Sequence, residues 1–175
     1  MKRFLTLVVL NLMLMGSQTG LAQTEFNPEQ LSPRGRVAYS KLAGACIFRV
    51  GSVGYSGETS KEELALYDLL EEAHALAALK SLVKTGSYEA GLYGLLGLSI
   101  TDHAEFNRGV EIYKARKVRP DRQERGSRGC SLATGETVAT QKGCIILTEG
   151  REGVVTKIQS GHFDQLLLAK YRPLN

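Results

Sequence analysis

The chain has 175 residues, 43% hydrophobic and 23% charged, with 22 Lys and Arg against 18 Asp and Glu for a net charge of +4. That size supports one domain around a single core. So small a charge surplus, with no aromatics interleaved among the cations, argues against a nucleic-acid partner.

Residues 1–22 carry Lys2 and Arg3, an apolar run from Phe4 to Met15, and the small residues Gly20 and Ala22. This is the three-part pattern of a secretory signal peptide, with cleavage expected after Ala22 and a periplasmic or secreted product. The alternative, an uncleaved membrane anchor, suffers from a run well short of the roughly 20 residues needed to cross a bilayer. Removing the leader takes away two cations and no acids, so 20 basic residues face 18 acidic ones in the remaining chain.

Residues 23–43 open with QTEFNPEQLSPRGR, whose prolines, glycine and polar side chains show no sustained period, and are expected to form a flexible lead-in to a single globular domain over 44–175. GACIFRV at 44–50 reads as a short strand and GSVGYSGETS as the loop after it. Thr59 or Ser60 then caps a helix, each with a glutamate three residues on (Glu62, Glu63), and Leu66, Leu69, Leu70 and Ala73 form its apolar stripe among Glu62, Glu63, Glu71 and Glu72. Leu76, Leu79, Leu82 and Val83 share a face of a second helical pattern, closed by Gly86 as a residue of positive φ. Residues 60–84 fit one long helix or two.

Ser87 caps a third pattern, SYEAGLYGLLGLSITD, with Gly91, Gly94 and Gly97 three apart. Three glycines inside a helix oppose it by roughly 3 kcal/mol unless packing compensates, which predicts close approach by a neighbour along a slowly drifting groove. Apolar character lasts only from Ala90 to Ile100, too short for a membrane span, and the spacing is not that of a nucleotide loop. Asp102 and Glu105 start a fourth helix through about Arg116. The segment ALKSLVKTGSYEAGLYGLLGL, within residues 73–100, resembles one hairpin of the HEAT or armadillo type of helical repeat, although no second copy follows at a fixed period. GSVGYSGETS, LYGLLGL and KGCIIL together look like small exported bacterial proteins of unknown function, a likeness that implies no activity.

Residues 114–129, KARKVRPDRQERGSRG, hold seven cations against Asp121 and Glu124. Arg116, Lys117, Arg119, Arg122 and Arg125 are the candidate binding residues, suited by electrostatic steering to an acidic protein or an anionic envelope component. ETVAT and CIILT around Gln141, Lys142 and Gly143 predict a β-hairpin, and VVTKIQSG a short helix ended by Gly161. The fold class expected is α+β, a mainly helical core of about four helices over 60–116 with a small β-hairpin near the C-terminus.

Of three cysteines, Cys130 and Cys144 flank a compact turn-rich segment and are the expected disulfide, with Cys46 as a small buried hydrophobe; a bridge from Cys46 to either of them is the competing arrangement. No spacing of His and Cys supplies a zinc site, and no cofactor is expected. His74, His103 and His162 have no partner at ligand spacing, and Ser56 in GYSGE lacks the GxSxG elbow. The reading that results is an exported binding module, inhibitory or neutralising in character. A hydrolase assembled from Ser56, Asp102 and His103 is the first alternative, and a structural envelope component the second.

Overall fold

The computed structural model describes residues 26–53, 58–116, 137–143 and 145–164. The expected signal peptide, Ser56 and the segment from Lys117 to Cys130 lie outside the described residues, as does Cys144. Six α-helices are present among those described: Pro33–Ala43 (α1), Lys61–Leu70 (α2), Ala75–Thr85 (α3), Tyr88–Thr101 (α4), His103–Ala115 (α5) and Arg151–Gln159 (α6). Strand Phe48–Val53 (β1) pairs antiparallel with Glu58–Thr59 (β2) and parallel with Thr137–Gly143 (β3), which pairs antiparallel with Ile145–Gly150 (β4). The protein is mainly helical, and its core lies among the helices.

Residues 26–43, within the flexible lead-in expected over 23–43, are instead a structured part of the body. Asn27 caps a 3-10 turn at Pro28–Gln30, and Ser32 caps α1 with Pro33 at its first position, where a missing amide costs no helical hydrogen bond. Leu31, Ala38 and Leu42 are buried in the core, and the Phe26 ring lies 5.2 Å from Tyr39. The prolines and Ser32 therefore mark a helix start. The ordered body begins by Phe26 and not at Gly44.

Residues 60–84 form two helices, because the chain turns at residues 71–74 to place Glu72 on the N-terminus of α1. Its carboxylate accepts from the Ser32 amide at 2.9 Å and from the Ser32 hydroxyl, while Arg34 pairs with Asp68 at 2.5 Å and Glu71 at 3.2 Å. A carboxylate at a helix N-terminus meets unpaired amides and the positive end of the dipole. Part of the acidic face at Asp68, Glu71 and Glu72 is thus spent holding α1.

The Ser32 hydroxyl, its amide and the Gly35 amide, with the Arg34 charge, hold the Glu72 carboxyl below its ordinary value of 4.5, against an opposing effect of burial. Glu105 is lowered in the same way, first by Lys80, whose Nζ lies 2.9 Å away, and further by Arg108. A carboxyl that binds its proton less readily folded than unfolded adds stability above its unfolded pKa, and that gain disappears as pH falls through the folded value. The denaturation midpoint is expected to drop on acidification below about pH 4.5, and Glu72→Gln with Glu105→Gln should flatten that slope in urea titrations run across pH.

Helix α4 is buried on every side from Glu89 to Leu98, and Leu92, Tyr93, Leu95, Leu96 and Leu98 have no exposed surface. A helix apolar all round belongs inside a core. The three glycines serve two neighbours, since each step of three residues rotates the helix about 300° and moves the groove around it. A Cβ on Gly94 would stand 2.8 Å from the Leu79 carbonyl oxygen of α3, one on Gly97 would meet the Leu79 side chain, and one on Gly91 would meet the Tyr113 ring of α5 at 2.6 Å. Gly86 departs from expectation, for its φ is −67°, and an added Cβ would lie 2.7 Å from both the Leu82 oxygen and the Ala90 Cβ. It is glycine for room, not for handedness.

Candidate functional site

Of the five basic residues singled out by sequence, Arg116 lies among the described residues and Lys117, Arg119, Arg122 and Arg125 lie outside them. Arg116 follows the last turn of α5, and its guanidinium turns inward onto the C-terminal end of α3. It donates to the Val83 oxygen at 3.1 Å, to the Ser87 oxygen at 3.3 Å and to the Gly86 oxygen, with its carbon 4.8 Å from the centre of the Tyr88 ring and 5.7 Å from that of Tyr113. A planar cation with five donors suits this place because the last carbonyls of a helix have no internal partner. Arg116 is an anchor of the fold, a role that sequence reasoning assigned to ligand binding. Arg116→Ala is expected to lower stability by about 1–2 kcal/mol, and Arg116→Lys to restore little, because an ammonium supplies neither the fork nor the stacked plane. Thermal unfolding of the two variants checks this.

A second set of polar side chains gathers where β1, α2 and α4 meet. Ser60 caps α2 by accepting from the Glu63 amide at 3.0 Å, and its hydroxyl donates to the Arg49 oxygen at 3.3 Å. The Glu63 carboxyl does not reach back to the cap amide as a capping box would have it. It accepts from the Gly51 amide at 2.6 Å and from the Tyr67 hydroxyl, and it is 2% exposed. Gly51 has φ +93°, a conformation that turns its amide toward α2 and favours glycine. On the opposite side the Tyr93 hydroxyl accepts from the Arg49 amide at 2.7 Å and donates to the Arg49 oxygen at 3.0 Å. Burial pushes the Tyr93 phenol far above its ordinary value, so it keeps its proton.

These groups could be mistaken for an acid and base pair, but their hydrogen-bonding capacity is taken up by one another and by backbone. The cluster fastens β1 to two helices. Two buried atoms near it, Arg49 Nε and Glu62 Oε2, have no hydrogen-bond partner among the described residues. The sequence pattern offered Ser60 and Glu63 as a helix start, and nothing in it pointed to Tyr67 or Tyr93 as their companions.

Of the residues proposed for hydrolysis, Asp102 and His103 lie among the described residues, at the start of α5. Asp102 Oδ1 accepts from the Ala104 and Glu105 amides, each at 3.0 Å, and so is spent as the cap of α5. His103 is exposed at the first position of that helix, and Ser56 lies outside the described residues. Among the described residues no group of three or more His, Cys, Asp or Glu is placed to hold a metal, and no helix is long and apolar enough to cross a membrane. Comparison with known protein families, with curated proteins and with solved structures gives no match.

Proposed function

We propose that this is an exported, non-catalytic binding protein of the bacterial envelope, which docks on an acidic protein or an anionic envelope component through the cations that follow α5 and thereby blocks or neutralises it. The observation that carries this reading is the anchorage of Arg116. Seven cations stand in residues 114–129, and the described one that faces inward pins the start of the segment to the carbonyls of Val83, Gly86 and Ser87. Lys117, Arg119, Arg122 and Arg125 then follow from a fixed point on the body. Fixing one end of a binding segment lowers the entropy lost when it meets its partner.

Export rests on the leader pattern of residues 1–22, and cleavage after Ala22 would remove none of the described residues. The buried polar cluster supports the non-catalytic side of the reading, because its donors and acceptors face one another. Retention on polyglutamate and on an immobilised anionic glycan, measured at low salt and again near 0.5 M, tests the proposal. Binding at low salt should vanish at high salt and in a variant carrying Lys117→Glu, Arg119→Glu, Arg122→Glu and Arg125→Glu, with unfolding unchanged. If the wild-type chain binds neither probe at low salt, the proposal fails.

A further inference from the structure

We propose that the seam between α1 and α2 is a self-complementary surface through which two copies of this chain associate as a weak two-fold dimer. The helices run antiparallel, for Glu72 meets Ser32 and, one step further along, Asp68 and Glu71 meet Arg34. Val37 lies one turn beyond Arg34 and Leu64 one turn before Asp68, so the two stand at the same level of the seam. They are the two most exposed large apolar side chains among the described residues, at 66% and 48%. Another turn on, Lys41 and Lys61 come level with each other. Both are exposed, and neither makes an ion pair or side-chain hydrogen bond among the described residues.

The seam therefore carries three rungs spaced by about 5 Å, acidic, apolar and basic in turn. Arg34 with Asp68 and Glu71 sums to one negative charge, and Lys41 with Lys61 to two positive ones. Asp68 and Glu71 keep 31% and 61% of their side-chain surface open, and a carboxylate that already binds Arg34 has lone pairs left for a lysine.

A two-fold axis crossing the seam at the level of Val37 and Leu64 reverses this order in the second copy. Each apolar side chain then meets its own duplicate, and the basic rung of each copy meets the acidic rung of the other, as an isologous contact requires. An axis running along the seam would set lysines on lysines instead. The order of charges is what points to a second copy, because the surface supplies its own complement. Two short helices and two apolar side chains per copy place the contact at the small end of protein interfaces, with a Kd expected at about 0.1 mM. The surface is independent of the binding function proposed above.

Sedimentation equilibrium of the full chain as the cell exports it, run at low salt from about 10 µM to about 1 mM, should show monomer passing to dimer. Leu64→Asp should stay monomeric throughout. Lys61→Glu and Glu71→Lys should each weaken pairing by at least about fivefold, since like charges then meet at both ends of the interface. An acid at the first residue of α2 and a cation just after its last both suit the helix dipole, so these variants should remain folded. Mixed in equal amounts, the two should associate as tightly as the wild type, because each mixed pair again sets glutamate against lysine at both ends. The proposal is overturned by a wild-type chain that stays monomeric up to about 1 mM, by a dimer that Leu64→Asp leaves intact, or by variants whose mixture pairs no better than either alone.

Discussion

Gly94→Ala is expected to lower the unfolding free energy by about 1–3 kcal/mol, although alanine is the better helix former by about 1 kcal/mol. The new methyl would lie 2.8 Å from the Leu79 carbonyl oxygen, 2.8 Å from Val83 Cγ2 and 3.1 Å from the Val83 amide nitrogen. Two of those three neighbours are backbone atoms of α3, so relief requires the helices to separate. Gly97→Ala should cost less, because the atoms it meets belong to the Leu79 side chain, which can shift within a packed core at smaller expense. Gly153 in α6 is the control. Nothing lies within 4 Å of a Cβ built there, and Gly153→Ala should gain a few tenths to about 1 kcal/mol. Equilibrium urea unfolding of the three variants gives the order Gly153→Ala, Gly97→Ala, Gly94→Ala from most to least stable. A Gly94→Ala protein as stable as the wild type would mean that α3 and α4 are not in close contact.

How much of this was legible follows from the reach of each signal. Ser60, Ser87 and Asp102 announce the starts of α2, α4 and α5, because a cap acts within three residues of itself. The glycine spacing of α4 likewise betrays its tight seating, since a helix of so many glycines and leucines gains little from propensity. What the spacing could not say is which neighbour fills which gap. Gly91 faces α5 and Gly94 faces α3, a division fixed by chain return and not by period. Start signals were also overridden by composition. In SPRGR the proline and glycine suggest a loop, whereas Ser32 with Pro33 is an N-terminal helix signature that continues to Ala43.

The least legible parts are contacts across long stretches of chain. Glu72 meets Ser32 forty residues away, Tyr93 meets Arg49 forty-four away, and Arg116 meets Val83 thirty-three away. Glu72 and Arg116 sit in charged, polar stretches and Tyr93 in an apolar one, and each is committed by a partner that its local pattern does not contain. The parallel pairing of β1 with β3 belongs to the same class. The C-terminal strands announce a hairpin by their own composition, but nothing in either of them says that β1 lies beside it.

Glu63→Ala is expected to cost about 2–5 kcal/mol, the largest loss of any single polar substitution in the described structure. The change would leave the Gly51 amide and the Tyr67 hydroxyl without their acceptor in a region where Glu63 is 2% and Tyr67 8% exposed. An orphaned buried donor loses its water without regaining a partner, at about 1–3 kcal/mol for each group. Glu63→Gln should cost less, because one amide oxygen keeps the shape and can still accept. The decisive measurement is a double-mutant cycle. Tyr67→Phe in the wild type removes the hydroxyl bonded to Glu63, whereas in the Glu63→Ala background that bond is already gone, so its cost should shrink there. Tyr93→Phe provides the independent comparison. It keeps the ring 4.9 Å from Phe48 but strips the acceptor from the Arg49 amide, and its cost should add to that of Glu63→Ala, since the two tethers grip different groups of β1. Additive losses for Glu63→Ala and Tyr67→Phe in urea unfolding at neutral pH would show that these side chains do not act as one unit, and would reopen the junction of β1, α2 and α4 as a site of chemistry.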